Sequence, residues 1–197
     1  MSNKIITFLT IVFIAGCSPR TLVILDKKNC DVLPIKIAVL DFYNHSNTSN
    51  PRLGRELAER LSYDIFAHSK GTIEIVERNH IKSTLQKLGS RFGDTFSKKD
   101  LITLADSTNV DFIVKGVIID YSKDLMEKKN NTLEVLLSLI SSKDGSTVAM
   151  LRIKEETENP QTLIESVSFE AGKRIVREKV KLYHLLKPVV SDTLDAH

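Results

Sequence analysis

The chain has 197 residues, with 42% hydrophobic and 27% charged side chains and a formal net charge of +3. That balance is globular rather than disordered. Lys and Arg alternate with Asp and Glu, and no basic run is interleaved with aromatics, so nucleic acid is not an expected partner.

The first stretch carries an address. Lys4 gives a positive start and Ile5–Ala15 an apolar run. That run is too short to span a bilayer, which takes about 20 apolar residues. Ile14-Ala15-Gly16-Cys17 closes it. The pattern resembles the lipobox of bacterial lipoproteins. The resemblance implies a signal peptide over 1–16 and diacylglycerol on Cys17, which then heads the mature chain. By analogy with sorting rules, Ser18 rather than Asp after the Cys implies the outer membrane. Several acyl chains on one Cys anchor firmly, at about 0.8 kcal/mol per buried methylene. Cys30 is then left without an intramolecular partner: either an inert thiol or one half of an intermolecular disulfide. Residues 17–33 read as lipidated start and tether, with Thr21–Leu25 as an optional edge strand.

The chain is organised around Pro34–Asn44. Ile35, Ile37, Val39, Leu40 and Phe42 form a near-continuous apolar run, the mark of a central strand buried on both faces. Asp41 stands at its end, and Tyr43–Asn50 is dominated by turn formers. Asn50-Pro51 predicts a capped helix start. Leu53, Leu57, Leu61 and Ile65, with Ala58, make one apolar stripe, and Gly71 ends the helix. A second strand covers Ile73–Val76. A short helix capped by Asn79 carries Ile81, Leu85 and Leu88.

Ser97-Lys98-Lys99-Asp100 resembles a capping box opening a third helix. Val110–Tyr121 is a long strand in which Gly116 predicts a bulge or a close backbone approach. Thr132–Ser141 and Ser146–Glu155 form a hairpin about Asp144-Gly145. Asn159-Pro160 opens a last helix to about Leu185, with Leu163, Val167, Ala171, Ile175 and Val180 near one face. Gly172 weakens it by about 1 kcal/mol relative to Ala. The order β-α-β-α-α-β-β-β-α predicts an α/β fold: a mixed sheet with helices packed on it. The domain covers 34–187, and 188–197 is a C-terminal tail.

Four segments in this order are IAVLDF, LGRELAERLSYDI, IEIVERNHIKSTLQ and LADSTNVDFIVKGVI. Together they resemble the periplasmic α/β domain of the curli-secretion (CsgG-like) lipoprotein family. A related domain occurs in FlgO, in LpoB and in the N-terminal part of TolB. The resemblance covers roughly 35–153 and implies an interaction and assembly module of the cell envelope, not an enzyme. It implies a periplasmic or outer-membrane protein partner and leaves self-association open. The pore-forming members add membrane-spanning hairpins. The gaps available here, Ser90–Phe96 and Ser122–Asn131, are short and polar, so no pore is expected.

Of the five histidines, none pairs at i, i+4 and none clusters with Cys, so neither a metal nor a cofactor is expected. No phosphate-binding loop or nucleophile elbow is present. The candidate interaction loop is Asp41, Asn44 and His45. Asp41 reads as a strand-end residue capping its own loop, in preference to an acid–base pair with His45. Arg78 reads as a solvated strand exit and Asp120 as turn-forming. The alternative function is ligand binding or hydrolysis at the loop after the first strand, in a polar crevice of Asp41, Asn44, His45 and Asp120.

Overall fold

The chain alternates short parallel strands with helices and then turns to a long antiparallel meander. A computed structural model describes residues 34–46, 50–90, 96–122 and 131–186. The signal, Cys17, Cys30, the tether, the centres of the two gaps and the C-terminal tail lie outside these residues. The elements are β1 (Ile35–Val39), β2 (Tyr43–Asn44), α1 (Leu53–Ser69), β3 (Ile73–Ile75) and α2 (Arg78–Lys87), then α3 (Lys98–Thr108), β4 (Phe112–Ser122), β5 (Asn131–Ser141), β6 (Thr147–Thr157) and α4 (Pro160–Leu186). The sheet order is β3-β1-β4-β5-β6, with β2 beside β4. β1 runs parallel to β3 and β4, while β4, β5 and β6 are antiparallel. This is the expected mixed α/β sheet, with one strand more than predicted.

β1 is central because both its faces find a helical layer. Ile37 and Val39 enter a core with Leu57, Leu61 and Ile65 of α1 and Leu163 and Val167 of α4. Ala38 and Leu40 enter a second core with Ile81 and Leu85 of α2 and Leu101 and Leu104 of α3. The predicted apolar stripe of α1 is fully buried. Leu61→Ala should therefore lower stability by about 2–5 kcal/mol, the cost of a buried leucine truncation. A melt within a degree of the parent would show the stripe to be misplaced.

The helix starts differ from the sequence expectation. α1 begins at Leu53, and Arg52 precedes it without a side-chain cap. Asn50 Oδ1 instead accepts from the Arg52 N–H at 3.0 Å, a local turn ahead of the helix. α2 begins at Arg78 behind an extended Glu77, so Asn79 lies inside its first turn. The box at α3 forms as expected: the Asp100 N–H donates to Ser97 Oγ at 3.2 Å, and the Ser97 N–H to Asp100 Oδ2 at 2.9 Å. Hydrogen bonds from the Ser97 hydroxyl and backbone N–H hold the Asp100 carboxyl below the usual carboxylate range.

Asp120 does not form a turn. β4 continues through it to Ser122, and a register shift between Ile118 and Asp120 leaves Ile119 facing out. Gly116 is a close approach: a Cβ there would lie 2.6 Å from the Phe42 ring. Phe42 and the start of α1 beside it lie beyond the end of β1, where the candidate loop was predicted.

Candidate interaction site at the end of the first strand

β1 stops pairing at Val39, where it faces Val114 of β4. The next residues lift toward α1: the Leu40 N–H still reaches the Val114 carbonyl, but the Phe42 N–H donates to the Gly54 carbonyl at 3.2 Å. Pairing with β4 then resumes at Tyr43, opposite Val117. The start of the loop read from the sequence is thus tied to both α1 and β4.

Asp41 sits on this raised segment. Its carboxylate pairs with Arg78, the first residue of α2, rather than capping its own loop. Arg78 is not a solvated strand exit; its side chain is only 24% exposed, and that of Asp41 15%. Arg78 Nε also lies 3.5 Å from Glu59 of α1, which binds Arg55 at 2.8 Å. Charges of alternating sign from the β1 exit, α2 and α1 therefore close over the carboxyl end of β1. An arginine between two carboxylates suits the fork geometry of its guanidinium. Asp41→Asn should cost about 1–3 kcal/mol by removing the charge of the nearer of the two carboxylates that flank part-buried Arg78. In a double-mutant cycle with Arg78→Gln the two losses should be far from additive; simple additivity would show the pair to be idle.

Asn44 and His45 do other work. Asn44 Oδ1 accepts from the N–H and the hydroxyl of Ser46, at 3.0 and 2.6 Å. His45 is exposed; its backbone N–H donates to the Ile118 carbonyl at 2.9 Å and its ring stands edge-on to Tyr43. Among the described residues no bond joins His45 to Asp41, and Asp120 is exposed on β4. Sequence reasoning missed Arg78, Glu59 and Arg55 as members of this corner. The i, i+4 spacing of Arg55 and Glu59 was a usable signal. The Asp41–Arg78 pair, 37 residues apart, was not.

Two grooves lie along α4. One of about 600 Å³ runs beneath its middle, over Val114, Leu137, Leu139, Leu151 and Ile175. Another of about 680 Å³ lies between its first half and the end of β6. Among the described residues no cluster of His, Cys, Asp or Glu is placed to hold a metal, and no helix is long and apolar enough to cross a membrane.

No protein-family model matches the sequence, and no curated protein matches it. Solved structures do. The PelC dodecamer from Paraburkholderia phytofirmans is similar with a TM-score of 0.51 at 13% identity, over 71% of this chain and 87% of that one. Lipoprotein GNA1162 from Neisseria meningitidis is similar with a TM-score of 0.51 at 16% identity, over 73% and 99%. The chain shares their fold. The C-terminal domain of LpoB from Salmonella enterica gives a lower TM-score of 0.47 at 14% identity, over 64% and 87%. At such identities the likeness is one of fold, and membership of the curli-secretion family stays a proposal.

Proposed function

We propose that the chain is a periplasmic lipoprotein held at the outer membrane by acyl groups on Cys17. On this reading it serves a cell-envelope machine, for secretion, flagella or peptidoglycan synthesis, through protein contacts and without catalysis. The observation that carries this is the closed corner beyond β1. Open α/β sheets bind their ligands in the crevice outside the carboxyl ends of parallel strands. Here the Asp41, Arg78 and Glu59 charges pair with one another beyond β1, and the Gly54 carbonyl is engaged by the Phe42 N–H. What remains outside it is a tied-down, polar surface of Tyr43, Asn44 and His45, suited to a protein partner.

The lipobox and the fold shared with lipoprotein GNA1162 support the anchoring. The dodecameric assembly of PelC supports self-association as part of the role. Two measurements test this. Capture of the lipidated protein from native membranes, followed by mass spectrometry, should return an envelope-machine component, lost on His45→Glu or Tyr43→Ala; turnover of a small substrate by the purified protein would overturn the reading. Palmitate labelling of the parent should be strong and that of Cys17→Ser absent; equal incorporation would remove the anchor.

A further inference from the structure

The domain has two distinct ends. The Ile35 N–H donates to the Thr72 carbonyl at 3.1 Å, and the Thr72 N–H to the Ser69 carbonyl at 3.1 Å. The entry of the chain into the fold therefore lies against the last turn of α1. α4 runs the same way. Its Glu165 meets Arg60, its Ser168 meets Asp64 and its Phe169 meets His68, so its later residues also point to the entry end. Asp41, Asn44 and His45 lie at the opposite end of β1.

The outer side of the two helices toward the entry end carries large apolar groups in water. Tyr63, Phe66 and Phe169 are 57%, 41% and 49% exposed. Cations accompany them. Arg60 lies 5.5 Å from the centre of the Tyr63 ring, and Lys173 Nζ 5.9 Å from that of Phe169. Lys70, exposed, ends α1 in the left-handed conformation. Three acidic groups nearby have partners. Asp64 is buried on the Ser168 hydroxyl, Glu165 lies 3.8 Å from Arg60, and Glu170 binds Arg174 at 2.6 Å. Aromatic bodies with cationic neighbours are the pattern of side chains that settle at a bilayer interface.

We propose that this face, Tyr63, Phe66 and Phe169 with Lys70 and Lys173, rests on an anionic phospholipid surface. The proposal rests on the lipid anchor at Cys17. Residues 18–33 then link that anchor to the entry end, a tether whose extended reach is at most about 50–60 Å. A tethered patch needs little intrinsic affinity, because the tether raises its local concentration at the surface into the millimolar range. Cationic groups add an attraction to anionic headgroups that salt weakens. Contact at this face turns the Asp41–His45 corner away from the membrane, toward partners in the periplasm.

The test removes the acyl chains and keeps the face. The chain from residue 17 onward, carrying Cys17→Ser, should sediment with vesicles containing phosphatidylglycerol at low salt and be released by high salt. Vesicles of phosphatidylcholine alone should retain much less. Phe66→Ser with Phe169→Ser should weaken partitioning about tenfold or more, from the loss of two apolar side chains. Lys70→Glu with Lys173→Glu should abolish the salt-sensitive part. Melting temperatures close to the parent keep these losses attributable to the surface. No sedimentation with anionic vesicles, or sedimentation unchanged by the aromatic substitutions, overturns the proposal. So does conversion of a self-associated species to monomer by those substitutions without vesicles, which would make the face a contact between copies. Palmitate labelling of the parent is read separately. Its failure overturns the anchor and the orientation built on it, whereas the vesicle arms report on the face itself.

Discussion

Gly54→Ala should leave little folded protein. A Cβ at this position would lie 2.0 Å from the Phe42 carbonyl oxygen and 3.0 Å from its carbon. No flexible side chain can yield there, because both are backbone atoms of the segment that lifts off the sheet between β1 and β2. The same contact holds the structure together: the Phe42 N–H donates to the Gly54 carbonyl. Relief requires the first turn of α1 to move away from Phe42, which loses that bond and loosens the Phe42 ring from the space above Gly116. Leu53 and Leu57, both buried in the main core, would move with it. The expected loss exceeds about 4 kcal/mol, in the exceptional class of single substitutions. A domain with about 5–15 kcal/mol in hand has little left after that. Circular dichroism and chemical denaturation of purified Gly54→Ala would check it. A midpoint near the parent's would mean that the helix start has slack that its hydrogen bond to Phe42 does not suggest.

Leu-Gly at the start of an amphipathic helix is legible in the sequence, but the reason for the glycine is not. Within the chain itself Gly54 is merely a poor helix former. Its reason lies twelve residues upstream, in a carbonyl brought close only by the fold. The stripe Leu53, Leu57, Leu61 and Ile65 was legible because its period is local and its burial follows from that period. The central place of β1 was legible for the same reason, since Ile37 and Ala38 leave neither face polar. β2 was not legible. Two residues, Tyr43 and Asn44, carry no periodicity, and their strand character comes from Val117 and Ile118 across the gap. The candidate site divides likewise. Asp41 was placed correctly at the strand end, but its partner was sought nearby in the chain. Arg78 belongs to another element, and long-range charge pairing leaves no mark on spacing. Asn44 was picked out for its polar character, and its side-chain amide oxygen accepts local bonds from Ser46 while its backbone pairs with β4.

The α1–α4 contact supplies the second large effect. Gly172→Leu should separate these helices and lower stability by about 1–3 kcal/mol or more, as overpacking of a tight core does. Read along α4 alone, Gly172 costs about 1 kcal/mol against alanine, and its replacement should help. Across the interface the sign reverses. A Cβ would meet the Asp64 carbonyl carbon and Cβ at 3.0 Å and the Ile65 nitrogen at 3.1 Å. Most of these are backbone atoms of a helix whose other side is pinned to the sheet by Leu61 and Ile65. Separation also strips a buried polar contact. Asp64 is 4% exposed and accepts the Ser168 hydroxyl at 2.7 Å. Drawing the helices apart lengthens that bond before water can replace it, and a buried carboxylate short of donors is costly. Gly172→Ala is the finer probe. Its added methyl needs the neighbours to give by a few tenths of an ångström, and the helix backbone resists that. Both variants should melt below the parent, the leucine furthest. A rise in melting temperature for Gly172→Ala would mean that the helices can part without loss, and that propensity rather than contact governs this glycine.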